Sequence, residues 1–189
     1  MKTIRFLAPI IALTLAVHTL PATTVIPPTF DGLVSQAELI FQGTVTALKS
    51  DYVGEGPNRH IATFVTFKVN EQMKGQASAS YTIEMMGGTV GENTMEVTDA
   101  PRFKVGDRDI LFVEHNGAQF IPLVGIMHGR FRIQKDQATG REIVATNDGA
   151  PLADVTQLGA NEAAASVGQP LTPQDFKSAI QNRLTRLPQ

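Results

Sequence analysis

A mainly β domain, closed on itself as an antiparallel, OB-like barrel, is the fold class this sequence predicts, and three observations predict it. Between Glu38 and Ala145, about seven segments carry the period-two alternation or β-branched enrichment of strands. Few helical patterns interrupt them, which favours antiparallel pairing over βαβ units. Gly43 breaks the first apolar row, and the long loops suit a curved sheet. A short N-terminal helix and a C-terminal helix complete the expected architecture.

The elements follow in order. Thr23–Thr29 contains Pro27-Pro28 and reads as an extended lead-in. Phe30, Leu33, Val34 and Ala37 have helical spacing, with Asp31 as a capping residue, and predict one or two turns. Leu39, Phe41, Gly43, Val45 and Ala47 alternate with Gln42, Thr44 and Thr46 as a first strand. Asp51–Asn58, with Gly54, Gly56 and Pro57, predicts a loop. Ile61–Val69 predicts a long strand with Val65, Phe67 and Val69 on one face and Thr66, Lys68 and Asn70 on the other. Tyr81, Ile83 and Met85 mark a third strand, stopped by Gly87-Gly88. Gly87–Asp107 is irregular apart from a short strand at Thr94–Val97. Asn116-Gly117 is the strongest hairpin signal and predicts pairing of Ile110–Glu114 with Phe120–Val124. A further hairpin joins Arg130–Lys135 to Glu142–Ala145.

Residues 149–170 turn rich in Ala, Gly and polar groups and read as a flexible linker. Residues 171–189 recover a helix. Thr172 caps it, Pro173 takes the first helical position, Asp175 suits the positive end, and Leu171 can staple to Phe176. Phe176, Ala179, Ile180 and Leu184 then line one face, whose default is to dock on the chain's own sheet. The expected barrel domain is therefore residues 30–148.

Met1–Ala22 has the pattern of a secretory signal peptide: Lys2 and Arg5, then an apolar run from Leu7 to Val17, then Pro21-Ala22. The run is shorter than the roughly 20 residues a membrane span needs. Export to the periplasm or the extracellular space is the expectation. Cleavage after Ala22 removes two of the 16 basic residues, leaving 14 against 18 acidic ones, a mature charge of about −4. That mild acidity excludes nucleic acid as an expected partner. Contact with a membrane and the oligomeric state are left open. The chain has no cysteine, which rules out thiol catalysis, Cys-bound zinc and disulfides, so stability must come from a packed core. With ten Phe and no Trp, Phe and the aliphatic residues must dominate it.

The run Ala37-Glu38-Leu39-Ile40-Phe41-Gln42-Gly43-Thr44-Val45 has the form A-(D/E)-x-(I/V)-(I/V)-x-G-x-V, with Phe41 in place of a β-branched residue. Val69-Asn70-Glu71-Gln72-Met73-Lys74-Gly75 follows as V-x-E-x-x-K-G. Over residues 31–75 this order resembles exported bacterial proteins without assigned activity. It also resembles the opening strands of netrin-like domains, including the tissue inhibitors of metalloproteinases. The resemblance implies an OB-type barrel of five or six strands. Those inhibitors present an N-terminal cysteine to zinc, a feature this cysteine-free chain does not carry.

Chemistry-bearing motifs are few. His60, His115 and His128 have no ligand spacing and read as turn-adjacent polar residues, so no metal and no cofactor is expected. Met85, Met86, Met95 and Met127 read as core gap-fillers rather than a copper site. There is no Gly-x-Ser-x-Gly elbow. Gly87-Gly88-Thr89-Val90-Gly91 lacks the lysine and following helix of a phosphate cradle and reads as a wide turn. Asp107 and Asp109 share one strand face and read as solvated charges. The longest irregular stretch of the β region is the first choice for a recognition surface. Its candidate binding residues are Gly87, Gly88, Thr89, Gly91, Asn93 and Arg102, joined by His60 from the Asp51–His60 loop. No catalytic residue is nominated. The expectation is a non-enzymatic binding module for another envelope or secreted protein. The alternatives are an inhibitor of secreted proteases or, behind it, a metal-dependent hydrolase.

Overall fold

The computed structural model describes residues 27–159 and 168–187. The expected signal peptide, residues 1–22, lies outside the described residues, as does 160–167 of the expected linker. No helix among the described residues is long and apolar enough to cross a membrane.

The first helix, α1 (Phe30–Gln36), is capped by Thr29, whose hydroxyl accepts from Gly32 N at 3.1 Å. Strands β1 (Leu39–Val53) and β2 (His60–Lys74) form a long antiparallel ribbon. The strand pattern runs further than its alternation suggests. Asp51–Val53, predicted as loop, still pair with β2, and the connection shrinks to Gly54–Arg59 around a 3-10 turn at Gly56–Asn58. β3 (Ser80–Met86) pairs with β2. β4 (Gly88–Val90) and β5 (Asn93–Met95) form a separate two-stranded arm. β6 (Arg108–Val113), β7 (Arg130–Lys135) and β8 (Glu142–Ala145) complete one antiparallel sheet of order β3-β2-β1-β6-β7-β8. The chain is thus mainly β, as expected.

The expected closed barrel is not formed. The sheet is open, because irregular chain satisfies each of its outer edges before they can meet. Outside β3, Glu84 N donates to Asn116 Oδ1 at 3.0 Å, Met86 N donates to Phe120 O at 2.7 Å, and Asn116 Nδ2 donates to Thr82 O at 2.9 Å. Outside β8, Leu152 N donates to Val144 O and Val144 N to Leu171 O. The predicted Asn116-Gly117 hairpin therefore changes role. Only Val113 and Leu123 bridge across it, and Asn116 spends its side chain as a surrogate backbone on the edge of β3.

Both faces of the sheet are apolar. On one side Ile40, Ile110, Phe112, Phe131 and Val144 pack against α1 and the second helix, α2 (Pro173–Leu184). Phe176 of α2 is fully buried, with ring centroids 4.7 Å from Phe131 and 6.0 Å from Phe30. The capping box expected from Thr172 and Asp175 is present, and Arg183 Nε donates to Asp31 of α1 at 2.6 Å. The expected linker is held near both ends: Leu152 is buried in this core and Leu171 packs on it. On the other side Phe41, Val65, Phe67, Ile83, Met85, Phe103, Leu111, Ile121 and Leu123 form a second core. Register shifts between Gln42 and Gly43 and between Val45 and Ala47 bend β1 as its glycine predicts. The second shift reverses the alternation, so Leu48 rather than Ala47 follows Val45 onto this second side.

Candidate functional site

A cleft of about 260 Å³ lies on the second side, between the sheet and the β4–β5 arm. Its floor comes from Leu48, Thr63, Val65 and Met85, and its roof from Gly87–Thr89, Thr94–Val97 and Ala100–Phe103. The roof exists because the chain folds back at the end of β3. Gly87 N donates to Ile61 O at 2.8 Å, and Thr63 Oγ1 donates to Gly87 O at 2.7 Å. Gly88 then crosses directly over the Ser50–Thr63 pair with φ 137°. A Cβ there would sit 2.5 Å from Ser50 Oγ and collide with Thr63 Oγ1, so only glycine permits this approach. The arm pairs Thr89 with Thr94, turns at Gly91, and ties its tip to β1 through Asn93 Nδ2, which donates to Tyr52 Oη at 2.8 Å.

Beyond the arm, Val97–Ala100 turn back and Phe103 enters the core edge-on to Phe67, 5.5 Å between centroids. Arg130 fixes this return. Its guanidinium lies 4.0 Å over the Phe103 ring, Nη1 donates to Arg102 O at 2.8 Å, Nη2 donates to Asp107 at 2.8 Å and Nε donates to Asp109 at 2.9 Å. Asp109 is fully buried, and that burial pushes its pKa up to about 6 against the opposing pull of Arg130. The two aspartates do share a face, as alternation predicts, but they are not solvated surface charges. They hold a buried arginine that anchors the far wall of the cleft.

Of the sequence-predicted binding residues, Gly87, Gly88, Thr89 and Arg102 line the cleft. Gly91 and Asn93 belong to the arm without lining it, and Asn93 serves as its tether. His60 stands outside it, at the end of the β1–β2 ribbon, with Nδ1 2.9 Å from Asn58 O. Arg102 reaches Glu96 in an exposed ion pair of 3.4 Å at the rim. His115 sits beside Glu38, and His128 lines a different recess with Pro27, Pro28 and Leu158. Among the described residues no three His, Cys, Asp or Glu side chains gather in a group able to hold a metal ion.

Sequence reasoning missed Leu48, Thr63 and Val65 as the floor. Their part depends on the β1–β2 register and on the reversal after Val45, neither of which local alternation reports. Met85, Met86 and Met95, read as separate gap-fillers, come together in the lining. No protein-family model, curated protein or solved structure matches the chain.

Proposed function

We propose that this chain is an exported, non-enzymatic interaction module that takes an apolar side chain of an envelope or secreted protein into the cleft beneath the β4–β5 arm. The observation that carries the reading is the cleft's size together with its lining. At about 260 Å³ it falls below the roughly 300–1,000 Å³ of typical small-molecule sites and suits one inserted group of a larger partner. Met85, Met86, Met95, Leu48 and Val65 supply a lining in which unbranched thioethers re-pack around differing shapes. Thr63, Thr89 and Thr94 add hydroxyls, and the Glu96–Arg102 pair offers both signs of charge at the rim. Export rests on the N-terminal pattern of Lys2, Arg5 and the apolar run from Leu7 to Val17.

The test is capture from an envelope and culture-fluid extract by the wild-type protein and by Ala100→Trp, which fills the cleft from its wall. Proteins held by the wild type and lost with A100W, at an unchanged circular dichroism spectrum, support the reading. Identical capture by both, or none above background, overturns it. Where the captured protein is a secreted protease, progress curves with increasing amounts of this chain separate inhibition from passive association.

A further inference from the structure

The second half of β1 presents a strand edge that no neighbouring strand of the sheet accompanies. β6 accompanies β1 only from Leu39 to Thr44, and Val45 is bonded to Gly106 N and Asp107 O. From Thr46 to Val53, β1 pairs with β2 on one side, and among the described residues no segment pairs with its other side. Both outer edges of the same sheet are bonded to irregular chain. Leu48, near its middle, is one of three large apolar side chains left exposed among the described residues.

We propose that this edge pairs antiparallel with the same edge of a second copy, about a two-fold axis at Ser50, to form a symmetric dimer with one continuous sheet. The strand Ala47-Leu48-Lys49-Ser50-Asp51-Tyr52-Val53 is complementary to itself in that register. Lys49 of one copy faces Asp51 of the other, twice by symmetry, and Leu48 faces Tyr52, also twice. Small Ala47 meets Val53. Charge complementarity singles out the arrangement. A slip of two residues either way sets Lys49 opposite Lys49 or Asp51 opposite Asp51, and a parallel pairing in register does both. A slip of one residue turns each strand's side chains onto the wrong face. Directly opposed unlike charges stabilise an antiparallel pair and like charges destabilise it.

The side chains are disposed for this. Ser50 lies beneath Gly88 and Tyr52 is bonded to the arm, so Leu48, Ser50 and Tyr52 share the cleft-side face. Lys49 and Asp51 project together on the opposite face, 2.7 Å apart and largely exposed, and their contact holds the Asp51 carboxyl below its usual pKa. In the dimer these two charges meet the same two of the second copy and form an alternating square. Tyr52 of the second copy covers Leu48 at the margin of the cleft. This inference is independent of the cleft's ligand.

Sedimentation of the signal-processed protein at about 1–300 µM, a range suited to a small interface, tests it. The wild type is expected to show a monomer–dimer equilibrium. Lys49→Asp and Asp51→Lys, each setting like charges opposite one another, are expected to weaken it about tenfold. Mixed one to one, K49D and D51K place unlike charges opposite again, and the mixture is expected to dimerise as the wild type does. Circular dichroism of each variant confirms that it is folded. A wild type that stays monomeric throughout overturns the proposal. So does a mixture no tighter than its two components.

Discussion

The two sides of the sheet are built from the same kinds of residue and end differently. On the helix side, regular elements cover the apolar face. Phe176 and Ile180 of α2 and Phe30, Leu33 and Val34 of α1 are buried, and four phenylalanine rings meet across the layer. On the arm side, the cover is irregular chain turned by glycines and anchored at single points, at Gly88, Asn93 and Arg130, and a cleft remains under it. A helix brings a continuous stripe of side chains to a sheet and fills the space. A hairpin arm of three-residue strands reaches the sheet at few places and leaves room between them. The proposed binding surface therefore lies where packing is least regular.

Three changes break or sharpen that contrast, in decreasing order of effect. Phe176→Ala removes the ring at the centre of the helix-side core and is expected to cost about 3–5 kcal/mol of global stability. Denaturant unfolding measures it, and a loss below about 1 kcal/mol would mean that α2 is as loosely held as the arm. Asp109→Asn removes one carboxylate from Arg130, which keeps Asp107 and the Arg102 carbonyl, and is expected to change stability near neutral pH by less than Phe176→Ala, because relief of a buried charge offsets the lost ion pair. The same variant carries a pH signature. Folding raises the Asp109 pKa to about 6, so the folded protein binds this proton more tightly than the unfolded chain. The contribution of Asp109 therefore makes stability fall as pH rises from about 4 to 6, and D109N is expected to flatten that slope. An unchanged slope would show that Asp109 does not titrate in that window. Gly88→Val forces a side chain into the Ser50–Thr63 pair and is expected to cost about 1–3 kcal/mol, confined to the arm. Amide exchange should accelerate over residues 88–95 while α2 keeps its protection. Equal loss in both would show that arm and helix open as one unit.

The run from Ala37 to Gly75 has an architectural content that the structure spells out. Glu71 accepts from Lys177 of α2 at 2.6 Å. Lys74 Nζ donates to the carbonyls of Val34 and Ser35 at 2.8 and 3.0 Å, where the C-terminal end of α1 needs a cation. Gly75, at φ 77°, passes so close to the Glu38 carbonyl that no Cβ fits. Glu38 in turn accepts from His115 N at 3.1 Å. These residues join α1, α2, β1 and β2, and none of them lines the cleft. Apart from the backbone constraint at Gly75, these contacts join residues 39 to 106 positions apart, and the order of residues in the run does not disclose them. The cleft was only half legible. Its glycines announce a fold-back at Gly87-Gly88, but Thr63 of β2 beneath them is 24 residues from Gly87, and Leu48 of β1 is further still.

The amino-acid sequence alone determined the β-rich class, the long β2 face of Val65, Phe67 and Val69, the bend at Gly43, and the cap and apolar stripe of α2. Each follows from periodicity or backbone chemistry within a few residues. Only the tertiary structure decided that the sheet stays open, that Asp107 and Asp109 enclose Arg130, and that Leu48, Thr63 and Met95 face one space. Those outcomes turn on which distant segment reaches an edge or a charge first. Asn116 satisfies the edge of β3 from 30 and more residues away, and no local pattern records that competition.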